Sequence, residues 1–100
     1  MRIYGKAKQI IENYFEIPYK EYRKDGSLKQ TGTEDFTTAR IIKQTKCYSI
    51  HTWDGKKRMS GNQKWFENHG VIRVDDRDGL KEYARSIYPD AAEIQVRKCF

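Results

Sequence analysis

Residues 5–16 read Gly-Lys-Ala-Lys-Gln-Ile-Ile-Glu-Asn-Tyr-Phe-Glu. Ala7, Ile10, Ile11, Tyr14 and Phe15 fall at i, i+3, i+4, i+7 and i+8, a single apolar stripe, while Lys6, Lys8, Glu12 and Asn13 lie off it. That period predicts an amphipathic helix. Pro18 ends it by pushing Ile17 out of helical geometry. Near the other end of the chain Leu80, Tyr83, Ala84, Ile87 and Tyr88 repeat the spacing. Asp76 or Asp78 can cap that segment and Pro89 stops it, which predicts a second helix over 79–88.

Between and after the helices the chain is rich in β-branched and aromatic residues. Asp25-Gly26 suits a tight hairpin turn between Tyr19–Lys24 and Ser27–Thr31. Phe36 to Gln44, dense in Thr and Ile, reads as strand, although Thr33 with Glu34 and Asp35 is also a helix-start pattern. Cys47 to Trp53 is a second β-rich run closing on Asp54-Gly55, with Lys56 to Met59 as its short partner. Ser60 and Gln63 form a capping-box pattern that predicts a short helix over 61–69 ending at Gly70. Val71 to Asp75 reads as a strand. Ala92 to Cys99 alternates Ile94 and Val96 with polar residues, as a half-buried strand does. The expected fold is therefore a single α+β domain over residues 1–100: a small antiparallel sheet with two amphipathic helices packed on one face.

Charge is distributed unevenly along this plan. From Phe36 to Phe66 stand Arg40, Lys43, Lys46, Lys56, Lys57, Arg58 and Lys64 against one acid, Asp54, a net of +6. The whole chain also carries +6, so the remaining bases and acids cancel. Tyr48, Trp53, Trp65 and Phe66 are threaded through the same stretch. Cations interleaved with flat rings suit a phosphate backbone bearing stackable bases. On a strand, Tyr48 and Ile50 share the core face, which leaves Lys43, Ser49, His51 and Trp53 on the open one. The expected function is a small basic nucleic-acid-binding module, DNA or RNA unspecified. Lys43, Lys46, Lys56, Lys57, Arg58 and Lys64 would meet phosphates, and an exposed Trp53 would stack on a base. The alternative is a protein-interaction module, an inhibitor or accessory subunit, meeting an acidic protein surface through the same ribbon or through Tyr4, Tyr19 and Tyr22 with Arg2 and Arg23.

Other chemistries find less support. Gly55-Lys56-Lys57-Arg58 lacks the long glycine-rich turn and following helix of a phosphate-binding loop. Cys47, His51, His69 and Cys99 number four, but on a strand Cys47 and His51 stand about 13 Å apart, too far to share an ion. Asp75, Asp76 and Asp78 serve a helix N-terminus as caps without any ligand. No catalytic residue, metal or cofactor is therefore expected. The order helix, three strands, helix loosely echoes the double-stranded-RNA-binding domain, but those aspartates have the wrong sign for its basic last-helix N-terminus. With no apolar run of signal-peptide or membrane-spanning length and only two cysteines, the expected location is cytoplasmic.

Overall fold

The computed structural model describes residues 1–99. It is mostly sheet, 51% strand and 21% helix. In chain order the strands are β1 (Arg2–Tyr4), β2 (Lys8–Ile11), β3 (Tyr14–Tyr22) and β4 (Leu28–Thr37). Helix α1 (Thr38–Gln44), β5 (Lys46–Trp53), β6 (Glu67–Val74), α2 (Arg77–Ile87) and β7 (Glu93–Lys98) follow. All pairings are antiparallel. β4 flanks β3, whose other side is shared by β2 and β1; β1 continues to β6, β6 to β5, and β5 to β7. β6 and β7 are thus parallel to each other across β5, with α2 as the connection. Among the described residues no helix is long and apolar enough to cross a membrane.

This corrects the expected two-helix arrangement. Residues 5–16 are not a helix but part of the β2–β3 hairpin, turning at Glu12-Asn13 with Asn13 in the left-handed region (φ 62). The stripe that suggested a helix is not buried: Ile10, Ile11 and Tyr14 are exposed. Tertiary pairing decides instead, because Phe15 stands opposite Phe36 and Tyr14 Oη donates to Asp35 Oδ2 at 3.0 Å. Pro18 does not end an element either; it lies inside β3. Its carbonyl accepts from Gly5 N–H at 2.8 Å, so its missing N–H faces the same side, where β1 has ended and β2 has not begun.

Phe36 to Gln44, expected as strand, divides into the end of β4 and helix α1. Thr37 is the N-cap, its Oγ1 accepting from Arg40 N–H at 3.3 Å. The helix expected over 61–69 is only a single 3₁₀ turn, Ser60–Asn62. α2, by contrast, lies close to where its stripe and caps put it, with Asp76 as N-cap.

The two helices pack on opposite faces. Ile3 and Tyr4 are successive residues of β1 and so point to opposite sides. Ile3 joins the cluster of Tyr48, Ile50, Val74, Leu80 and Ala84 beneath α2. Tyr4 joins Ile17 and Phe36, against which Ile41 of α1 packs. The core is therefore two small clusters joined by one three-residue strand. An accessible surface of 6886 Å² against roughly 5,900 Å² for a compact monomer of this mass reflects that division. The molecule measures 51 × 28 × 17 Å.

Candidate nucleic-acid interface

β5 organises the basic stretch. Tyr48 and Ile50 are buried under α2, so Cys47, Ser49, His51 and Trp53 share the other face. At its start stand Lys46 and, on α1, Lys43; at its end begins the loop that carries Lys56, Lys57, Arg58 and Lys64. Seven steps of about 3.3 Å separate Lys46 from Trp53, roughly 23 Å. The cations of residues 36–66 thus form two groups rather than one ribbon. Folding of α1 also removes Lys43 from the face expected for it. Arg40 is neutralised by Glu34 at 2.7 Å and Lys64 by Glu93 at 3.0 Å. Among the described residues Lys43, Lys46, Lys56, Lys57 and Arg58 form no salt bridge.

The loop from Asp54 to Phe66 is built in two turns. Asp54 Oδ1 accepts from the N–H groups of Lys56 and Lys57, each at 2.8 Å, and Gly55 takes the positive φ of 89 that the turn requires. Those two donors hold the Asp54 carboxyl below the usual carboxylate range. The chain then makes an irregular second hairpin. Trp65 N–H donates to Lys57 O at 3.0 Å, Met59 N–H donates to Gln63 O at 2.7 Å, and Arg58 bridges to Lys64. Lys56–Met59 therefore finds its partner within the loop, while Cys47–Trp53 pairs with β6 and β7. The Asp54-Gly55 signal marks a real turn, but not the end of the β5 hairpin.

At this tip each ring has a cation against it. Trp53 is half-buried; its Nε1 donates to Lys57 O at 2.8 Å, and Arg58 and Lys64 lie 5.0 and 4.8 Å from its ring centroid. Lys57 Nζ is 5.3 Å from the Trp65 ring and Arg97 5.5 Å from that of Phe66. Such contacts are worth about 0.5–1 kcal/mol each at exposed sites. Trp53 is thus engaged by its own chain. The more accessible ring is Trp65, 42% exposed.

Beneath the loop, against the end of α2, lies a cleft of about 290 Å³. Trp53, Trp65 and Tyr88 line it, with Lys57 and the carboxylates of Asp54, Glu67 and Asp90. His69 stacks on Tyr88 with centroids 4.2 Å apart, and its Nε2 is 2.7 Å from Thr52 Oγ1. The adjacency of Lys57 and Arg58 to Trp65 comes from the loop hairpin, in place of the helix expected over 61–69, and Asp90 arrives from beyond α2.

The remaining candidates are dispersed. His51 is buried beside Ser49 Oγ (2.8 Å), and burial, then Arg97, lowers its pKa. Cys47 and Cys99, distant in sequence, are cross-strand neighbours: Cys99 N–H donates to Cys47 O at 3.0 Å, and burial pushes the Cys47 thiol up. Tyr4 is largely buried and Tyr19 sits under the Arg2 guanidinium at 4.1 Å, yet Tyr4, Tyr19 and Tyr22 line one groove. Among the described residues no group of three His, Cys, Asp or Glu side chains is placed to hold a metal ion. Compared with known protein families, curated proteins and solved structures, the chain matches none.

Proposed function

We propose that the chain is a nucleic-acid-binding module that takes a single strand across the tip of its sheet. One observation carries this reading. Lys56, Lys57 and Arg58 are consecutive, exposed and free of carboxylate partners among the described residues, beside the accessible ring of Trp65. The three cations would meet phosphates, and Trp65 would stack on a base for about 1–3 kcal/mol. Trp53 supports the loop rather than stacking. Lys64 contributes less than the others while Glu93 holds it. Lys43 and Lys46, roughly 23 Å away along β5, would meet the same strand only further along its backbone.

Filter binding against single- and double-stranded DNA and RNA at low salt tests the proposal. Replacing Lys56, Lys57 and Arg58 with Ala should weaken binding to single strands. Each cation that meets a phosphate adds about 0.7 to the slope of log affinity against log salt, so the triple variant should be shallower by about 2. Equal binding by the triple variant sinks the reading.

A second reading, protein interaction, is favoured by the groove that Tyr4, Tyr19 and Tyr22 line. This mainly apolar groove of about 750 Å³ runs between α2 and the β1–β3–β4 part of the sheet, past Pro18, Tyr22 and Tyr83. Lys20 is its one charged lining residue, which suits an acidic segment of a partner. Retention of a partner after nuclease treatment, with loss on Lys20→Glu, would support it.

A further inference from the structure

We infer that the cleft beneath the tip loop is a pocket for one nucleobase that carries an exocyclic amino group. This rests on the nucleic-acid reading and adds a base preference to it. The size fits one ring system: about 290 Å³ lies at or below the roughly 300–1,000 Å³ of sites for larger ligands. Aromatic side chains are prominent in its lining, the accessible Trp65 among them together with Trp53 and with Tyr88, on which His69 stacks. A base whose phosphate rests on the loop cations would enter beside Lys57, which belongs to both the cationic loop and the cleft.

The polarity of the cleft decides which base. Its carboxylates, Asp54, Glu67 and Asp90, outnumber its one ammonium, Lys57. Asp54 is committed to the N–H groups of Lys56 and Lys57. Glu67 and Asp90 have neither salt bridge nor side-chain hydrogen bond among the described residues. Carboxylates beside the most cationic loop oppose phosphate, so their use in strand binding is with the base. An ionised carboxylate only accepts hydrogen bonds. Cytosine and adenine offer it an amino group, and guanine offers an amino group beside a ring N–H. Uracil and thymine offer one ring N–H flanked by two carbonyl oxygens, which a carboxylate repels. The pocket should therefore prefer guanine, adenine and cytosine and reject uracil and thymine.

The chain has two tryptophans, and both line the cleft, so intrinsic fluorescence reports its occupancy. Titration with GMP, AMP, CMP and UMP, then with oligo(dA), oligo(dC) and oligo(dT), should show uracil and thymine ligands binding about tenfold more weakly. Changing Glu67 and Asp90 together to Ala should erase that ranking while tightening oligo(dT), because two repulsive charges are gone. If all oligonucleotides bind alike and the double variant strengthens each equally, the pocket proposal fails and the nucleic-acid reading survives. If none binds, both fail. Quenching by tetramethylammonium in place of nucleotides identifies a cation cage and overturns the proposal.

Discussion

Phe36 shows how much one side chain carries in a core this thin. It is 1% exposed, with Tyr4 edge-on at 5.5 Å and the Arg40 guanidinium 4.7 Å from its ring. Phe36→Ala should cost about 3–5 kcal/mol in urea denaturation, a large part of the roughly 5–15 kcal/mol that holds a domain together. His51 sets a pH dependence. Its folded pKa is lowered by burial and Arg97, so the unfolded chain takes up the proton first as pH falls. Stability contributed by the neutral imidazole is complete above the unfolded value of about 6.5 and declines from there to the lower folded value. Thermal melts between pH 7.5 and 5.5 should show that decline, and His51→Gln should flatten it. The raised thiol pKa of Cys47 should make its alkylation slow at neutral pH and faster as pH rises.

At the scale of elements, turns and caps act locally, while the choice between helix and strand does not. Asp25-Gly26 does form the β3–β4 turn, with Asp25 Oδ1 accepting from Ser27 N–H at 2.9 Å. Gly26 has φ 88, and a Cβ there would collide with the Ser86 side chain of α2. Gly26→Ala should therefore destabilise the fold by about 1–3 kcal/mol in chemical denaturation. α2 is legible in the sequence because stripe, cap and stop agree, and Leu80 and Ala84 are fully buried where the stripe puts them. Residues 5–16 mislead because their period is satisfied by a helix only if some surface covers it. The deciding contacts, Phe15 with Phe36 and Tyr14 with Asp35, lie about twenty residues away. The same limit applies at the site: Lys56, Lys57 and Arg58 are consecutive, whereas the position of Trp65 depends on the loop hairpin, that of Lys43 on α1 and that of Asp90 on α2.

The whole molecule is two half-sheets with separate cores. Among the described residues three buried side chains serve the β3–β4 side and five the side under α2; β1 joins the two parts of the sheet, and Tyr22 of β3 also packs on Tyr83 of α2 with centroids 4.7 Å apart. Native-state hydrogen exchange should find amides of β3 and β4 opening at lower free energy than those of β5 and β6; uniform protection across the sheet would contradict the division. β1 has a further consequence in the order of synthesis. It leaves the ribosome before the other strands and can pair with β3 early, yet its other neighbour is β6, where Val74 stands opposite Ile3. At about 5–20 residues per second that neighbour arrives roughly 4–14 s later. Until then the nascent chain holds an open strand edge, an invitation to pair with another copy. Translation that stalls before Glu67 should lengthen the exposure and increase the aggregated fraction.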